Sequence, residues 1–429
     1  MEKSGKYRNT ELVESTMKKV LLIAYHYPPV SVSSGLQRTL KFSQYLRDFS
    51  WEPSVLSISP LAYERQSNGQ LAEVPNDIVV KRALGFDTAR HLSIKGKYPG
   101  FLAYPDRWVS WWPMAVISGL WVVWVQKVDV IFSTYPIATS HLIGWALHKI
   151  TGKPWIADFR DSMTEDSYPT EPKKRKIYQW IERETVKNCT KAIFTTPGAL
   201  KMYSERYPQY SSDKWAVIEN AFDEGNFEQA VAVEETLLKP NGVIRLLHSG
   251  VLYPSERDPR VFFDALSELK CAGLIARGTL NIILRATGHD DLFDPMIKER
   301  NIDDIVSLEP SVAYVDALQE MLNVDGLMIF QASNCNHQIP AKIYEYLRAE
   351  KPIFALTDEQ GDTANVLKKE EVGYILPLDD KEAIKRGLIE FIQQIKNNTA
   401  SRSDKAVWKQ HTRYARTEQL AKLLDDVVS

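Results

Sequence analysis

Short runs of apolar residues alternate along the chain with segments whose apolar positions recur every three to four residues. The first run, Val20–Ala24, predicts a fully buried strand. The next apolar positions follow the i, i+3, i+4, i+7 spacing of one helix face: Phe42, Tyr45, Leu46 and Phe49. Val55–Ile58 predicts a second strand, so the chain begins with a βαβ unit.

The same alternation continues through the chain in two blocks. The first block has predicted strands at Val128–Ser133, Pro154–Phe159, Ala192–Thr196 and Ala216–Ile218, and predicted helices at Thr139–Ile150 and 171–189. In the second block, strands are predicted at Val243–His248, Leu280–Arg285, Ile305–Leu308, Gly326–Phe330, Pro352–Leu356 and Gly373–Leu376. Its predicted helices are 259–270, Tyr314–Leu322, Ala341–Arg348 and 380–396. Alternating β and α elements predict parallel sheets covered by helices on both faces.

The polar, acidic stretch from Asp223 to Glu235 separates the two blocks and predicts a linker. We therefore predict an α/β protein with two doubly wound Rossmann-like domains that face a cleft, at residues 17–230 and 231–405. A last amphipathic helix is predicted within 406–429, and the polar residues 1–16 are predicted to be disordered. Ligands of such sheets bind beyond the carboxyl ends of the strands, which selects the loops to examine.

Composition excludes several classes of protein. The 429 residues are 44% hydrophobic and 25% charged, with a net charge of −2, so nothing global indicates nucleic-acid binding. Three scattered cysteines predict neither disulfides nor a zinc site and fit a reducing compartment. The polar start lacks the apolar core of a signal peptide, so we expect a cytoplasmic protein. The apolar stretch Trp111–Val125 is about five residues short of a membrane span and predicts a buried or interfacial helix.

The strongest candidate for a binding site is the start of the predicted helix that follows strand Gly326–Phe330. Pro340 suits the first turn of a helix, Lys342 follows it, and Glu345 lies three residues further on nearly the same face. A helix start with a lysine suits a diphosphate, and the carboxylate could accept hydrogen bonds from a ribose diol. An exposed Lys342–Glu345 ion pair is the alternative interpretation of the same spacing.

Six motifs in order along the chain resemble glycosyltransferase family 4, which has the GT-B fold. The central one is Pro-x-Lys-x-x-Glu-Tyr-Leu at residues 340–347, followed by a lysine-proline pair and an apolar strand. The other five are Tyr27-Pro28-Pro29 with Ser34-Gly35-x-x-Arg38, Ile156–Asp161, Val217–Asp223, His248–Tyr253 and Arg257–Arg260. The resemblance covers nearly the whole chain and is closest to a bacterial surface-polysaccharide branch of the family.

The resemblance implies roles for particular residues. Glu345 would hold the ribose of a nucleoside-diphosphate sugar, while Arg257 and Lys342 would neutralise its diphosphate. Gly250 lies in the loop that opens the second domain, and the backbone at Gly35 would approach the phosphates from the first. Glycine permits such a close approach of main chain to ligand. The first domain would bind the acceptor, and the last helix would pack back on it.

The chain departs from the family pattern at three places. The position eight before Glu345, where the family has a second glutamate that touches the donor sugar, is His337. Val251 stands where an arginine usually follows the second-domain glycine. Many relatives carry a histidine where this chain has Arg160-Asp161, so Asp161, with Arg160, is the candidate for contact with the reacting sugar. A carboxylate that pairs with Arg160 or caps the next helix is the alternative for Asp161.

No Asp-x-Asp motif and no His/Cys cluster occurs, which predicts a reaction without metal or cofactor. We therefore expect transfer of a glycosyl unit from a nucleotide sugar to a glycan or lipid-linked glycan, with retention of configuration, in surface polysaccharide (lipopolysaccharide or capsule) biosynthesis. The alternatives are a sugar-nucleotide epimerase on the same fold and a nucleotide-sugar-binding protein without turnover.

Tryptophans and cations also raise the question of a membrane. Five tryptophans crowd one short region: Trp108, Trp111, Trp112, Trp121 and Trp124. A basic run, Lys173–Lys176, lies on a later predicted helix. Both features suit peripheral binding to an anionic membrane surface. A buried tryptophan cluster beside a solvated lysine face is the alternative.

Overall fold

The computed structural model describes residues 17–31, 34–67, 69, 71–166, 168–231 and 242–429. The disorder predicted for residues 1–16 therefore lies outside the described residues.

The first sheet has seven strands in the order β3-β2-β1-β4-β5-β6-β7. Their bounds are β1 (Lys18–Ile23), β2 (Trp51–Ile58), β3 (Val79–Ala83), β4 (Val130–Thr134), β5 (Trp155–Arg160), β6 (Lys191–Phe194) and β7 (Trp215–Val217). The helices within this part of the chain are α1 (Ser34–Tyr45), α2 (Thr88–His91), α3 (Trp111–Gln126), α4 (Ala138–Thr151), α5 (Pro172–Asn188), α6 (Pro197–Arg206) and α7 (Glu224–Val231). The chain order of the strands reverses between β1 and β4, as in a doubly wound sheet.

The second sheet has six strands in the order β10-β9-β8-β11-β12-β13, and all of its pairs are parallel. These strands are β8 (Ile244–Ser249), β9 (Leu280–Arg285), β10 (Val306–Glu309), β11 (Gly326–Phe330), β12 (Ile353–Leu356) and β13 (Tyr374–Leu376). Its helices are α8 (Arg260–Cys271), α9 (Asp290–Glu299), α10 (Tyr314–Asn323), α11 (Lys342–Arg348), α12 (Asp362–Lys369) and α13 (Lys381–Lys396). The order reverses between β8 and β11, so a crevice is expected at their carboxyl ends.

Alternate residues of the second-sheet strands enter two separate cores. Met328 and Phe330 of β11 pack with Phe262, Phe263 and other residues of α8, α9 and α13. Their neighbours Leu327 and Ile329 pack on the opposite face, against residues of α10, α11 and α12. Because both faces are covered, the strand sequences are continuously apolar rather than alternating.

The end of the chain forms two helices rather than one. α14 (Lys405–Trp408) and a short turn at Lys409–His411 precede α15 (Arg413–Val428). The break occurs where Phe222 pairs with this segment: its N–H donates to His411 O at 3.3 Å, and Arg413 N–H donates to Phe222 O at 2.7 Å. At the far end of α15, Asp425 accepts hydrogen bonds from Lys18 Nζ at 2.8 Å and Trp51 Nε1 at 3.2 Å.

The linker prediction was partly wrong. Residues 224–231 of the predicted linker form α7, because Phe227 and Ala230 are buried and Phe227 packs on Phe222. Residues 232–235 lie outside the described residues. By their internal contacts, the described residues up to Ile156 with Leu424–Ser429 form one compact unit, and Ala157–Leu423 form the other. The domain boundary at 230/231 stays a prediction.

A buried carboxylate on α5 organises the loop that follows β5. Glu182, 1% exposed, accepts hydrogen bonds from Thr164 Oγ1 and Tyr203 OH at 2.9 Å through one oxygen. The other oxygen accepts from Arg206 Nη1 at 2.7 Å and Tyr207 OH at 2.8 Å. Thr164 follows Asp161 by three residues, so this network fixes the loop that carries the predicted catalytic carboxylate.

We predict that Glu182→Ala lowers the free energy of unfolding by about 3–5 kcal/mol, because it leaves Arg206 and two tyrosine hydroxyls without their buried acceptor. Denaturant unfolding followed by circular dichroism measures the change. Glu205→Ala is the matched control, since its exposed pair with Lys201 contributes less than about 1 kcal/mol. Equal losses in both variants would contradict the assignment.

Candidate functional site

The carboxyl ends of β8 and β11 bring together four of the residues that the sequence predicted. Gly250 follows β8 directly, and Arg257 lies a few residues beyond it. The loop after β11 leads into α11, which carries Lys342 and Glu345. The site thus lies at the switch point of the second sheet.

Gly250 has one structural reason to be glycine and one mobile neighbour that a side chain would have to displace. Its φ is +124°, a backbone conformation that side chains with a Cβ rarely adopt. A Cβ built on it would also collide with Nζ of Lys342. The main chain therefore runs against the lysine, and the ammonium group lies where the strand ends.

Lys342 lies against a buried, neutral histidine. Its Nζ is 3.4 Å from Nε2 of His248, whose Nδ1 is 3.0 Å from the carbonyl of Met328. Since the carbonyl can only accept, we assign the ring proton to Nδ1, which leaves Nε2 to accept from the lysine. Burial, with the nearby charge of Lys342, holds the pKa of His248 well below its usual range. Burial, with repulsion from Arg257, lowers the pKa of Lys342 to about 7.

Arg257 is the second cation of the site. Its Nη1 donates to the carbonyl of Val251 at 3.1 Å, and its guanidinium lies 5.6 Å from the ring centroid of Tyr253. Its Nε is buried, and within the described part of the chain no group accepts from it. Arg257 therefore keeps one N–H donor without an acceptor among the described residues, and its positive charge repels that of Lys342.

Glu345 is held by a tyrosine from a different helix. Tyr314, at the start of α10, donates its hydroxyl to Oε1 of Glu345 at 2.7 Å. Burial raises the pKa of Glu345, while Tyr314, Lys342 and Arg413 act against that rise. Tyr314 thus orients one carboxylate oxygen, and the positive charges of Lys342 and Arg413 favour the ionised form of Glu345.

This arrangement suits an anion with a neighbouring diol. Two partly buried cations that repel each other are stabilised by a ligand of opposite charge. The nearby carboxylate of Glu345 can accept hydrogen bonds from hydroxyl groups. Pro340 lies one residue before the cap residue Ala341, so α11 begins at Lys342 rather than at Pro340.

The loop between β11 and α11 is fixed at both ends. The buried amide of Gln331 donates to the carbonyls of Cys335 and Gln338, at 2.7 and 2.9 Å, and accepts from Thr363 Oγ1 at 2.6 Å. Residue 337, the position at which the family pattern has glutamate, lies in the middle of this loop.

His337 pairs with a carboxylate from the loop after β5. Its Nε2 is 2.9 Å from Oε1 of Glu165, and Thr196 Oγ1 donates to its carbonyl at 2.6 Å. The hydrogen bond from His337 is the main cause that lowers the pKa of Glu165. The imidazole therefore anchors its loop through a carboxylate that lies 172 positions away.

A cavity of about 580 Å³ lies beside the loop that begins at Gln331. Its wall includes Ser333, Asp358, Leu378 and Asp258, the residue after Arg257. The volume falls within the range of small-molecule pockets, roughly 300–1,000 Å³. Four acidic side chains, Asp258, Asp358, Glu359 and Asp379, line this cavity, whereas Arg257, Lys342 and Glu345 do not.

The remaining predicted residues belong to other strands and helices. Arg160 ends β5 with a φ of +54°, and its carbonyl accepts from Thr195 Oγ1 at 2.6 Å. Asp161 follows it and is exposed. Gly35 is buried in the first turn of α1, in the other compact unit. The roles predicted for these three residues, and for the residues around Lys342, stay predictions.

Three residues of the site were given no role by the sequence analysis. Tyr314, His248 and Glu165 contact predicted residues that are 31, 94 and 172 positions away in the chain. His248 ends a predicted strand beside a glycine, so its place at the carboxyl edge was a usable signal. In the described ranges, no group of three or more His, Cys, Asp and Glu residues could hold a metal ion.

No protein-family model and no curated protein matches this chain. Solved structures are similar over most of its length. Sucrose-phosphate synthase from Thermosynechococcus elongatus is 13% identical with a TM-score of 0.66, covering 95% of this chain and 98% of that one. Anabaena Alr3699/HepE, solved in complex with UDP and glucose, is 13% identical with a TM-score of 0.65, covering 95% and 100%.

A putative UDP-N-acetylglucosamine 2-epimerase from Listeria monocytogenes is also similar, at 10% identity and a TM-score of 0.55, with 94% of both chains covered. The predicted fold class is confirmed: the chain has two Rossmann-like parallel sheets and the GT-B fold of these structures. At such low identity the similarity establishes the fold alone.

We predict that Lys342→Met raises the free energy of unfolding by on the order of 1–2 kcal/mol, because it removes a half-buried charge that burial and Arg257 disfavour. Thermal or denaturant unfolding without ligand measures the gain. Lys298→Met, which removes an exposed lysine of α9, is the control and should change stability by less than about 0.5 kcal/mol. A clear loss of stability in Lys342→Met would show that the lysine serves the fold instead.

Proposed function

We propose that this protein transfers a glycosyl unit from a nucleoside-diphosphate sugar to a glycan or lipid-linked glycan acceptor. The observation that carries the proposal is the pair of mutually repelling cations, Lys342 and Arg257, that lies beside the oriented carboxylate of Glu345 at the switch point of the second sheet. The resemblance to glycosyltransferase family 4 supports the same assignment through the motifs that contain these residues and through further motifs at Ile156–Asp161 and Val217–Asp223.

In this proposal each group of the site has a distinct task. Lys342 and the guanidinium of Arg257 bind the diphosphate, and the main chain at Gly250 lies close to it. Glu345 accepts hydrogen bonds from the ribose hydroxyls through the oxygen that Tyr314 leaves open. A fixed carboxylate and two fixed cations then orient the donor before reaction.

The same cations also act in the chemical step. The bond between the anomeric carbon and the diphosphate oxygen breaks, and the diphosphate leaves with the electron pair. The acceptor hydroxyl oxygen forms the new bond, and its proton leaves with the diphosphate. Charge therefore develops on the diphosphate, where Lys342 and Arg257 stabilise it. Asp161, with Arg160, is proposed to face the reacting sugar, with retention of configuration and without metal or cofactor.

We further propose that the reaction belongs to surface polysaccharide biosynthesis in the cytoplasm. A sugar-nucleotide epimerase is the second candidate, since a putative enzyme of that class shares the fold. An epimerase needs acid and base groups around the sugar but no acceptor, so dependence on acceptor separates the two. A binding protein without turnover would keep the nucleotide site alone.

We predict that one member of a panel of UDP, GDP, dTDP, CDP and ADP stabilises the protein, by roughly 2.7 kcal/mol at about 100 times its dissociation constant. Glu345→Ala should abolish most of this gain because the ribose loses its acceptor. Thermal unfolding with each nucleotide measures it. Glu299→Ala, at the exposed end of α9, is the control and should respond as the unaltered protein does.

Two outcomes decide against the proposal. An equal response in Glu345→Ala would contradict the role of that carboxylate. Change of the donor sugar in the absence of any acceptor, followed by proton NMR with the nucleotide sugar of the responding base, would favour the epimerase. Release of free nucleotide only when a glycan or lipid-linked acceptor is added would support transfer.

We predict that affinity for the nucleoside diphosphate falls as pH rises from about 7 to about 9. The pKa of Lys342 is about 7 in the free protein, and a bound dianion stabilises the ammonium form and raises that pKa. Binding therefore takes up a proton above pH 7, and affinity declines by up to about tenfold per pH unit until the pKa of the complex is reached. Calorimetry over this range measures both the affinity and the proton uptake.

Lys342→Met is the matched variant for this measurement. It lacks the titrating group, so its weaker binding should stay nearly constant with pH over the same range. A pH dependence as steep as in the unaltered protein would assign the proton to a different group.

A further inference from the structure

Helix α3 exposes an uncharged apolar face. None of its 16 residues is charged, and its outward side chains are Met114 (41% exposed), Ile117 (61%), Trp121 (45%), Trp124 (64%) and Val125 (53%), with Trp112 (38%) at its start. Surface helices of globular proteins normally place polar or charged residues on that side. We call the five side chains from Met114 to Val125 the α3 face; Trp112 lies roughly half a turn away around the helix axis and is not part of it.

The opposite side of the same helix packs into the core of its unit. Trp111, Ala115, Val122 and Val123 are buried, and Gly119 lies so close to Leu147 that a Cβ there would come within 2.6 Å of its Cδ1. The α3 face therefore adds nothing to the core of its own unit. An exposed apolar patch with two tryptophans indicates an interaction surface.

The exposed apolar residues are concentrated in the segment of the chain that contains this helix. Ten of the 21 large apolar side chains that are exposed among the described residues lie between Leu84 and Ile150. Ile94 (80%) and Phe101 (68%) belong to this set and precede α3 in the chain. Scattered exposed apolar residues need no explanation, but such a concentration does.

The charge of the same segment is strongly positive. Residues 79–153 contain nine Lys and Arg but three Asp and no Glu, in a chain whose net charge is −2. The three aspartates are engaged: Asp87 pairs with Arg107, Asp106 accepts from Thr139, and Asp129 accepts from the Lys19 N–H. The charges that remain exposed are therefore cationic.

Two of these cations adjoin the α3 face directly. The ammonium of Lys81 lies 4.6 Å from the ring centroid of Trp121, and Lys127 is the exposed residue that caps the C-terminus of α3. Tryptophans flanked by lysines are typical of the membrane–water interface, where the rings lie among the headgroups and the ammonium groups contact lipid phosphates.

We propose that the α3 face docks on an anionic membrane surface, with α3 lying in the plane of the interface. A helix of this length covers roughly 24 Å, and within the described ranges no helix is long and apolar enough to cross a bilayer. A second copy of the chain fits less well, because a twofold contact would bring two cationic surfaces together, whereas anionic lipid is attracted to them.

This inference rests on the unit that contains α3 and is independent of the proposed glycosyl transfer. It uses none of the residues around Lys342. The basic run Lys173–Lys176, which the sequence analysis linked to a membrane, lies on α5 in the other unit and plays no part in the argument.

The test is co-sedimentation of the full chain with vesicles of phosphatidylcholine plus phosphatidylglycerol, compared with vesicles of phosphatidylcholine alone. We expect binding to the anionic vesicles, with a blue shift of tryptophan fluorescence. The double variant Trp121→Gln/Trp124→Gln should bind them about tenfold or more weakly, because it loses two interfacial anchors. Lys127→Glu should weaken binding to anionic vesicles but leave any binding to neutral ones unchanged.

Leu274→Gln is the matched control, since Leu274 is 60% exposed on the other unit, and it should bind as the unaltered protein does. Unfolding curves should show that the double variant is as stable as the unaltered protein, since both rings are largely outside the core. Failure of the unaltered protein to bind anionic vesicles, or equal binding by the double variant, would overturn the proposal. Sedimentation without lipid that shows a dimer lost in the double variant, together with no vesicle binding, would assign the α3 face to self-association instead.

Discussion

The repulsion between Lys342 and Arg257 is the interaction on which the interpretation of this protein depends. Both cations are partly buried, and the neighbouring His248 is held neutral because its pKa is lowered, so it adds no third charge. Glu345 offsets part of the repulsion, but burial also disfavours its own charged form. The free protein thus keeps a local excess of positive charge that folding does not require. Such an unfavourable concentration of like charge is expected where a ligand of opposite charge binds.

The order of the strands in the second sheet places these charged residues, because they lie in or just after the loops that follow β8 and β11. The chain order reverses between β8 and β11, the point at which doubly wound sheets bind their ligands, and the loops that leave these two strands carry Gly250 and Arg257 and lead to Lys342. Gly250 lets the first loop run against Lys342, and the buried amide of Gln331 fixes the second loop from inside. Separate apolar cores cover the two faces of the sheet, and Lys342, Arg257 and Glu345 belong to neither of them.

Local sequence predicted the parts of the structure that depend on local physics. Continuous apolar runs predicted the buried strands, and the spacing of Lys342 and Glu345 placed both on one short helix. α7 was missed because its residues are polar in composition, and its place depends on burying Phe227 against Phe222. β3, with partly buried residues along most of its length, gave little apolar signal. The contacts of Tyr314, His248 and Glu165 join distant parts of the chain, so no local pattern could reveal them.

His337 shows how a departure from a sequence pattern can have a physical partner elsewhere. A glutamate at this position would place a second carboxylate next to Glu165, and two carboxylates at hydrogen-bonding distance disfavour each other's ionised form. The imidazole instead donates to Glu165 at 2.9 Å, and the carbonyl of the same residue accepts from Thr196. Histidine at 337 and glutamate at 165 are therefore chemically matched. The side chain at position 337 is therefore committed to holding its own loop through Glu165, whatever group that loop binds.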